Sequence, residues 1–445
     1  MKRILLIGAG RSANALIKYL LLNAESEDWF VRVGDMNGDL AASKVGKHSR
    51  AEAFAFDALD YSIRLKELEN TDLVISMLPA NLHYAIAQDC VKAGINLITP
   101  SYITPEMAAL DSDAKANDVI IINELGVDPG LDHMSAMQLI DRIKAQGGEL
   151  IRFESFTGGL VAPESDNNPW GYKFTWNPRN VVLAGQGGSA RFLQGGLYKY
   201  IPYFKVFERV KPIEIKGHGM FEGYANRDSL KYRKVYGIEN IPTIYRGTLR
   251  KSGFSKAWNV FVQMGMTQDD FEIDQLEGMT KRQFTNSFLS YDPHSPVEEK
   301  MQKFFNLSED VMHKMKWLGL FDTTEIGIKS GSPAKVLQHI LEEKWHLEED
   351  DKDMIVMWHR FNYTLNGKES ELHASMVYIG EDQTQTAMAK TVGLPLGIAA
   401  KMVLNNQIKL KGVQLPIVPE IYNPILEELK QYGIVLEEAE VPVSW

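Results

Sequence analysis

The sequence predicts an α/β protein in which a doubly wound parallel sheet comes first and a second α+β domain, with a mixed sheet and a small helical insertion, follows. An apolar strand, a glycine turn and a helix open the chain. Strands then alternate with helices over roughly the first 130 residues, which is typical of a parallel sheet. The chain has 445 residues, 44% of them hydrophobic, and is long enough for more than one core.

The opening segment Lys2–Ala13, KRILLIGAGRSA, predicts a nucleotide-binding turn. Its apolar run Ile4–Ile7 indicates a strand, and the pattern Gly8-x-Gly10-x-x-Ala13 follows directly. In a dinucleotide-binding turn the first glycine makes the bend, the second lets the backbone approach a pyrophosphate, and a small third residue lets helix pack on strand. The N–H groups that begin the helix would face the anion. The alternative is a glycine turn in a domain that binds no nucleotide.

The second strand indicates the type of dinucleotide. Trp29–Val33 reads as a strand that ends at Gly34-Asp35. An acidic residue at this point binds a ribose 2′-hydroxyl and repels a 2′-phosphate. The sequence therefore predicts an NAD(P)(H) site in which Asp35 favours NAD(H), unless Asp35 only ends a strand in a solvated turn.

Four further strands complete the predicted first sheet: Phe54–Asp57, Asp72–Pro79, Asn96–Thr99 and Val119–Asn123. In such sheets the ligand lies beyond the carboxyl ends of the strands, so residues that follow the later strands should lie near the nicotinamide. These residues are Leu78, Pro79, Ser101, Tyr102 and Asp128. The whole predicted cofactor site comprises Gly8, Gly10, Arg11, Ser12, Ala13, Asp35, Met36, Asp57, Leu78, Pro79, Ser101, Val127, Asp128 and Pro129.

Composition excludes several kinds of partner. The formal net charge of -10, spread without long acidic blocks, argues against nucleic acid and anionic membranes. We find no apolar stretch that looks long enough to span a bilayer, so we expect a cytoplasmic protein.

The single cysteine, Cys90, is expected to be a buried thiol in a predicted helix over Ala85–Ala93. A single cysteine excludes an internal disulfide. The histidines lack ligand spacing, so no metal is expected.

Two later stretches combine turn-forming residues with charged or aromatic ones, a composition more typical of functional loops than of ordinary connections. Asn123–His133 reads NELGVDPGLDH, and Gly158–Trp176 reads GGLVAPESDNNPWGYKFTW. Together with TPSYITP (Thr99–Pro105), NRDS (Asn226–Ser229) and RGTLR (Arg246–Arg250), they resemble the glutamate-forming saccharopine dehydrogenase (saccharopine reductase) family. The resemblance covers nearly the whole chain.

The resemblance implies an NAD(P)-dependent oxidoreductase of lysine metabolism. Such an enzyme joins L-2-aminoadipate 6-semialdehyde to L-glutamate and reduces the imine to L-saccharopine, or runs the reverse oxidation; the physiological direction stays open. It also implies a homodimer and a Rossmann-like domain over residues 1–130. The C-terminal residues, about 390–445, are expected to pack back on that domain or to line the cleft. Residues 131–389 would form a substrate and dimerisation domain, with a helical insertion at about 255–330.

The resemblance also implies the substrate site. Asp128 and Tyr102 match polar residues of the family's site and are our candidates for proton handling. Asp128 could instead bind a substrate ammonium or be a structural carboxylate of the turn, and Tyr102 could form an aromatic wall. Saccharopine carries three carboxylates, for which arginine is the suited partner. The predicted substrate-binding residues are Tyr102, Asp128, Thr157, Gly158, Asn177, Arg179, Arg227, Arg246, Thr248 and Arg250.

Three positions depart from the family pattern. Thr157 stands where fungal members have a cysteine, so a role for that thiol does not transfer. Asp35 stands where NADP-using members carry arginine or small polar residues. Pro100 replaces a small hydroxyl residue beside Ser101 and removes a backbone donor.

The later chain predicts the elements of the second domain. Ile151–Phe156 and Pro212–Lys216 read as strands, and Val297–Leu320 as helices. Asp353–Ile379 reads as a long hairpin that turns at Asn366-Gly367. The pattern from Thr384 is helical, broken at Gly393-Leu394-Pro395 and resumed to Leu404.

Two alternatives to a saccharopine dehydrogenase remain. A related imine reductase, such as carboxynorspermidine synthase, would share the glycine turn but should show more acidic residues in its substrate site. A non-catalytic dinucleotide-binding sensor would keep the fold, but it would not need the SDNNP-containing loop.

Overall fold

The computed structural model describes residues 1–184, 186, 188–226 and 228–443. The chain divides into two compact units. The first comprises Met1–Leu150, Tyr363–Ser370 and Met376–Glu440; the second comprises Ile151–Asn362, Glu371–Ser375 and the residues from Val441. The domain boundaries inferred from the sequence remain predictions.

The strands and helices are numbered in chain order. The strands are β1 Lys2–Ile7, β2 Trp29–Asp35, β3 Ala51–Ala55, β4 Leu73–Ser76, β5 Asn96–Ile98, β6 Ile120–Ile122, β7 Glu149–Val161, β8 Ala190–Gln194, β9 Leu197–Ile201, β10 Val210–Ile215, β11 Gly219–Ala225, β12 Thr243–Lys251, β13 Asp353–Leu365, β14 Lys368–Ile379, β15 Gly412–Gln414 and β16 Glu437–Val441. The helices are α1 Asn14–Asn23, α2 Gly38–Val45, α3 Tyr61–Leu68, α4 His83–Ala93, α5 Pro105–Ala109, α6 Asp111–Ala116, α7 Leu131–Ala145, α8 Pro178–Val182, α9 Tyr232–Val235, α10 Phe254–Met264, α11 Lys281–Ser287, α12 Val297–Phe305, α13 Glu309–Trp317, α14 Pro333–Glu342, α15 Ala387–Leu404 and α16 Pro419–Leu429.

The first unit contains a parallel sheet in the order β15-β6-β5-β4-β1-β2-β3. Apolar side chains of α4 pack on one face together with residues of β1, β4, β5 and β6, and α15 packs beside α1 and against β4 and β5. The predicted doubly wound sheet is therefore confirmed. Cys90 is buried in α4, and burial raises the pKa of its thiol above the ordinary value.

Strand β3 begins and ends earlier than the sequence prediction of Phe54–Asp57. Its residues are half-buried or exposed because it is an edge strand, so the apolar signal comes only from Phe54 near its end and from the buried Phe56 directly after it. The edge strand β15, which pairs with β6, was not predicted. A strand of three residues in a late part of the chain has too short a pattern to be recognised.

Helix α15 runs through Pro395, so the predicted break at Gly393-Leu394-Pro395 is wrong. A proline inside a helix removes one hydrogen bond, but tertiary packing supplies most of a helix's stability. A Cβ on Gly393 would lie 2.7 Å from the backbone nitrogen of Leu16, so α15 and α1 are in very close contact here. Glycine at this position permits that packing, and the helix continues.

The same helix corrects the expectation that nothing in the chain is long enough to span a bilayer. Over the described residues, α15 has the length and hydropathy of a membrane span, and 83% of its apolar window is buried inside the protein. A mostly buried helix with this composition is typical of a protein core, and one such helix is weak evidence for a membrane segment.

The second unit is built on a mixed sheet in the order β10-β11-β12-β7-β13-β14-β16, with β8 and β9 attached through β12. β12 is parallel to β7 and antiparallel to β11. The predicted hairpin is confirmed, since Asn366 and Gly367 turn between β13 and β14 with φ of 51° and 74°. The helices predicted over Val297–Leu320 are also confirmed, as α12 and α13.

Candidate active site

The glycine turn follows β1 and leads into a short helical turn, Arg11–Ala13, before α1. Gly8 has φ +101°, and a Cβ there would lie 2.9 Å from the carbonyl oxygen of Met77. A Cβ on Gly10 would meet nothing within 4 Å. Gly8 is therefore required by the fold itself, whereas Gly10 borders open space.

Asp35, at the end of β2, is hydrogen-bonded to this turn. Its Oδ2 accepts the Ala9 N–H at 2.7 Å, and its Oδ1 accepts the Asn37 N–H at 2.9 Å. The Lys44 ammonium donates to the Gly10 carbonyl at 2.7 Å. Burial lowers the pKa of Lys44, and the charge of Asp35 opposes that change. Asp35, which is predicted to select NAD(H), therefore has the Lys44 ammonium near it.

The remaining predicted cofactor residues lie at the same edge of the sheet or beside the turn. Met36 is 74% exposed directly after β2, and Asp57 Oδ1 accepts the Leu59 N–H at 2.9 Å. Arg11 is exposed and Ser12 half-buried, while Leu78 and Pro79 follow β4.

A buried histidine that sequence reasoning missed joins the ends of β4 and β5. His83 Nδ1 lies 2.8 Å from the Ser76 hydroxyl, and its Nε2 lies 2.6 Å from the hydroxyl of Ser101, a predicted cofactor residue. Burial lowers the pKa of His83 to about 4, so the ring is neutral at pH 7. Hydroxyl residues at the ends of two buried strands, Ser76 and Thr99, were the signal for such a network.

The loop after β6 holds Asp128. The Tyr102 hydroxyl donates to Asp128 Oδ1 at 3.0 Å, so the two proposed catalytic residues are in direct contact. The Gly126 N–H donates to the Pro129 carbonyl at 2.9 Å, and Val127 is 7% exposed. A tight, hydrogen-bonded loop positions the carboxylate, as its Gly, Asp and Pro content predicted.

In the second unit, strand β12 places Arg246, Thr248 and Arg250 on one face of the sheet, because alternate side chains of a strand point the same way. Thr248 is paired with Thr157 of β7 in parallel register, and Gly158 follows within the same strand. Arg246 and Arg250 are 4% and 5% exposed. Two of the predicted arginines and both threonines therefore share one buried face.

The guanidinium of Arg250 lies 5.1 Å from the ring centroid of Tyr172 and 5.4 Å from that of Phe254. One of its nitrogens donates to the Leu249 carbonyl at 2.8 Å. Within the described part of the chain, Arg250 Nε and Thr157 Oγ1 are buried without a hydrogen-bond partner. Buried polar atoms are nearly always bonded, so these atoms indicate a site for an acceptor-bearing ligand.

The other predicted substrate residues have different surroundings. The Arg246 guanidinium lies 4.0 Å from the ring centroid of Tyr232. Arg179 forms an ion pair with Asp269, and the Asn177 side chain accepts the Arg179 N–H at 3.0 Å as the N-cap of α8. Arg227 lies outside the described residues.

In the ranges that the structure describes, no three His, Cys, Asp or Glu side chains are arranged to hold a metal ion.

Two models of known protein families match successive parts of the chain. Residues 4–122 match the family model described as "Saccharopine dehydrogenase NADP binding domain", and residues 126–434 match "Saccharopine dehydrogenase C-terminal domain". The chain is 34% identical to saccharopine dehydrogenase [NADP(+), L-glutamate-forming] of Saccharomyces cerevisiae, over 99% of both chains, and 32% identical to the protein of that name from Schizosaccharomyces pombe, over 98% of this chain and 99% of that one.

The chain is also 34% identical to the mitochondrial alpha-aminoadipic semialdehyde synthase of Mus musculus over 98% of its residues, but it spans only 47% of that longer relative. Among solved structures, the apo saccharopine dehydrogenase (L-Glu forming) of Saccharomyces cerevisiae superposes with a TM-score of 0.89 at 32% identity, covering 99% of this chain and 100% of the other. The resemblance noted in the sequence is confirmed, and the chain belongs to the saccharopine dehydrogenase family.

Proposed function

We propose that the protein is an NAD(P)-dependent saccharopine dehydrogenase of the L-glutamate-forming type. In the oxidative direction, saccharopine, water and NAD(P)⁺ give L-glutamate, L-2-aminoadipate 6-semialdehyde, NAD(P)H and a proton. The observation that carries the proposal is the buried face with Arg246 and Arg250, where Arg250 Nε has no bonding partner among the described residues. The relatives' names and the shared fold support it.

The substrate's carboxylates explain why an acidic protein buries two arginines on one face. A guanidinium holds a carboxylate through two parallel hydrogen bonds, and it is less strongly hydrated than an ammonium, so it is the cation best suited to a buried site. An aromatic ring lies beside each guanidinium, at a distance at which a cation is attracted to the ring face. Thr157 Oγ1 supplies a further donor on the same face.

The dinucleotide is assigned to the glycine turn. The open space at Gly10 and the carboxylate of Asp35 fit the pyrophosphate and the adenosine ribose, and the cofactor supplies or accepts the hydride. We further propose that Asp35 makes NAD(H) the preferred cofactor, because a 2′-phosphate would lie against its carboxylate. The neighbouring Lys44 offsets part of that repulsion, so NADP(H) remains a usable second cofactor.

We propose that Asp128 and Tyr102 interact with the amine nitrogen of the substrate. If Asp128 takes a proton from the protonated secondary amine of saccharopine, the nitrogen regains its lone pair, which forms the C=N bond as the hydride leaves the adjacent carbon. If it binds a substrate ammonium instead, it orients the amine without titrating. In either role, the Tyr102 hydrogen bond directs one carboxylate oxygen.

We also propose that the protein is a cytoplasmic homodimer without nucleic-acid or membrane partners. Leu197, Tyr198 and Tyr200 of β9 are each more than half exposed, as is Phe204 shortly after it. A group of exposed apolar residues near one edge strand favours a protein contact. Sedimentation analysis tests this assignment: a dimer that dissociates when Tyr198 and Tyr200 are changed to Lys supports it, and a monomeric wild type contradicts it.

The decisive experiment is a spectrophotometric assay at 340 nm with saccharopine and either NAD⁺ or NADP⁺. We expect cofactor reduction with stoichiometric release of glutamate. Turnover of carboxynorspermidine but not saccharopine would assign a polyamine-pathway imine reductase. A polyamine site should present free carboxylates, whereas Glu222 on the arginine face already accepts the Gly253 and Ser255 N–H groups. NADH binding without turnover of either compound would indicate a sensor.

A further inference from the structure

A small cavity lies in the first unit beyond the carboxyl ends of β4, β5 and β6. It has a volume of about 240 Å³, and its lining includes Ala80, His83, Tyr84, Tyr102, Met107 and Asn123. Pockets for drug-sized ligands measure about 300–1,000 Å³, so this cavity suits a single substituted ring. Strands are spaced about 4.8 Å apart, which puts the cavity roughly 5–14 Å across the sheet from β1 and the glycine turn.

Asn123 is the unexplained residue of this cavity. Its side chain is 1% exposed, and neither its Oδ1 nor its Nδ2 has a hydrogen-bond partner within the described part of the chain. Its backbone N–H donates to the Gln414 carbonyl at 3.0 Å, so the residue is held by β15. A buried polar group without a partner costs about 1–3 kcal/mol, which a fold tolerates where a ligand completes the bonds.

The other groups of the cavity indicate what kind of ligand that is. His83 is bonded to Ser76 and Ser101 and is neutral at pH 7, and the Tyr102 hydroxyl is directed to Asp128. No Lys or Arg is part of the described lining, and the exposed Glu106 adds a negative charge. A carboxylate would therefore be repelled. A neutral group with one acceptor and one donor matches the amide of Asn123.

We propose that Asn123 binds the carboxamide of the nicotinamide ring and that this cavity seats the ring. The Asn123 Nδ2 donates to the carboxamide oxygen, and its Oδ1 accepts from the carboxamide nitrogen. Asn123 is then a positioning residue that fixes the rotation of the ring and so the face from which hydride leaves. The inference rests on the dinucleotide of the proposed function and adds a residue to its site.

Calorimetric binding to the whole protein tests the inference without relying on turnover. In Asn123→Leu, NADH should bind about tenfold more weakly, equivalent to about 1.4 kcal/mol. ADP-ribose, which lacks the nicotinamide, should bind as it does to wild type. The variant should unfold at the wild-type temperature or above, because an unsatisfied amide has been replaced by an apolar group of similar size. Asn117→Leu, at an exposed position of the same unit, is the control.

A second arm uses only the wild-type protein, so it holds even if a variant fails to fold. Nicotinic acid adenine dinucleotide, with a carboxylate in place of the carboxamide, should bind at least about tenfold more weakly than NAD⁺. Equal binding of the two dinucleotides would overturn the inference, as would equal loss of NADH and ADP-ribose in Asn123→Leu. Failure of wild type to bind NADH at all would instead overturn the proposed function.

Discussion

The hydroxyl of Tyr102 donates a 3.0 Å hydrogen bond to Oδ1 of Asp128, and so joins the loop after β5 to the loop after β6. The phenol directs one carboxylate oxygen, while the backbone hydrogen bonds of the Asp128 loop limit its movement. A carboxylate held in this way can take a proton or bind an ammonium without rearranging.

Replacing Asp128 distinguishes these two roles. If it handles a proton, Asp128→Asn lowers kcat about 10²–10⁴-fold with little change in the KM for saccharopine. If it binds the ammonium, KM rises and kcat changes less. Tyr102→Phe should produce a smaller change in the same parameter, because it removes only the directing hydrogen bond. Steady-state kinetics distinguish the two roles. The control is Asp113→Asn, which changes an exposed carboxylate in the same unit. Unchanged kinetics in Asp128→Asn would exclude both proton transfer and ammonium binding by Asp128.

The two glycines of the opening turn should respond differently to alanine. Gly10→Ala adds a methyl group to open space, so the unfolding temperature should stay the same while dinucleotide affinity falls about tenfold or more. Gly8→Ala should destabilise the protein by about 1–3 kcal/mol, because the methyl meets the Met77 carbonyl and φ is +101°. Thermal unfolding and calorimetry on both variants check this; an unaltered dinucleotide affinity in Gly10→Ala would place the pyrophosphate elsewhere.

Cofactor choice should depend on Asp35. Wild type should use NAD⁺ with the higher kcat/KM, and Asp35→Arg should shift the ratio toward NADP⁺ by at least about tenfold, since a cation replaces a repelling carboxylate. Lys44→Met should shift it the other way, because the offsetting charge is lost. Kinetics with both cofactors measure these ratios. An unchanged preference in Asp35→Arg would remove Asp35 from the explanation.

Arg250 should determine affinity for the substrate and not for the cofactor. Losing a hydrogen bond to a charged group costs about 1.5–3 kcal/mol, so Arg250→Lys, which keeps the charge but not the fork, should raise the KM for saccharopine about 10–150-fold. The NADH dissociation constant should be unaffected. The exposed Arg209→Lys is the matched control. If Arg250→Lys leaves KM unchanged, the arginine face of β12 is not the carboxylate site.

His83 should make the protein less stable in acid. The imidazole titrates near 6.5 in the unfolded chain and near 4 in the folded protein, so between these pH values the unfolded state binds the additional proton. The contribution of His83 is complete above pH 6.5 and falls by roughly 3 kcal/mol as the pH is lowered to 4. Urea unfolding of wild type and His83→Gln at pH 7, 5.5 and 4.5 measures this; parallel pH dependences would show that His83 contributes nothing.

Several elements were predictable because their signals are local. The strand-turn-helix opening, the Asn366-Gly367 hairpin and the helices α12 and α13 each follow from a period or a turn preference within a few residues. The break expected at Pro395 was wrong because packing against α1 outweighs the lost hydrogen bond, and that packing involves residues hundreds of positions away.

By itself, the sequence determined the class of fold, the glycine turn with Asp35 after the second strand, and, through its rare loop segments, the family. Only the tertiary structure decided which side chains meet: His83 between Ser76 and Ser101, Thr157 beside Thr248, and Asn123 buried without a hydrogen-bond partner among the described residues. The reason is physical. Periodicity and turn chemistry act over neighbouring residues, whereas strand order and register, which bring distant side chains together, are set by burial of the whole core.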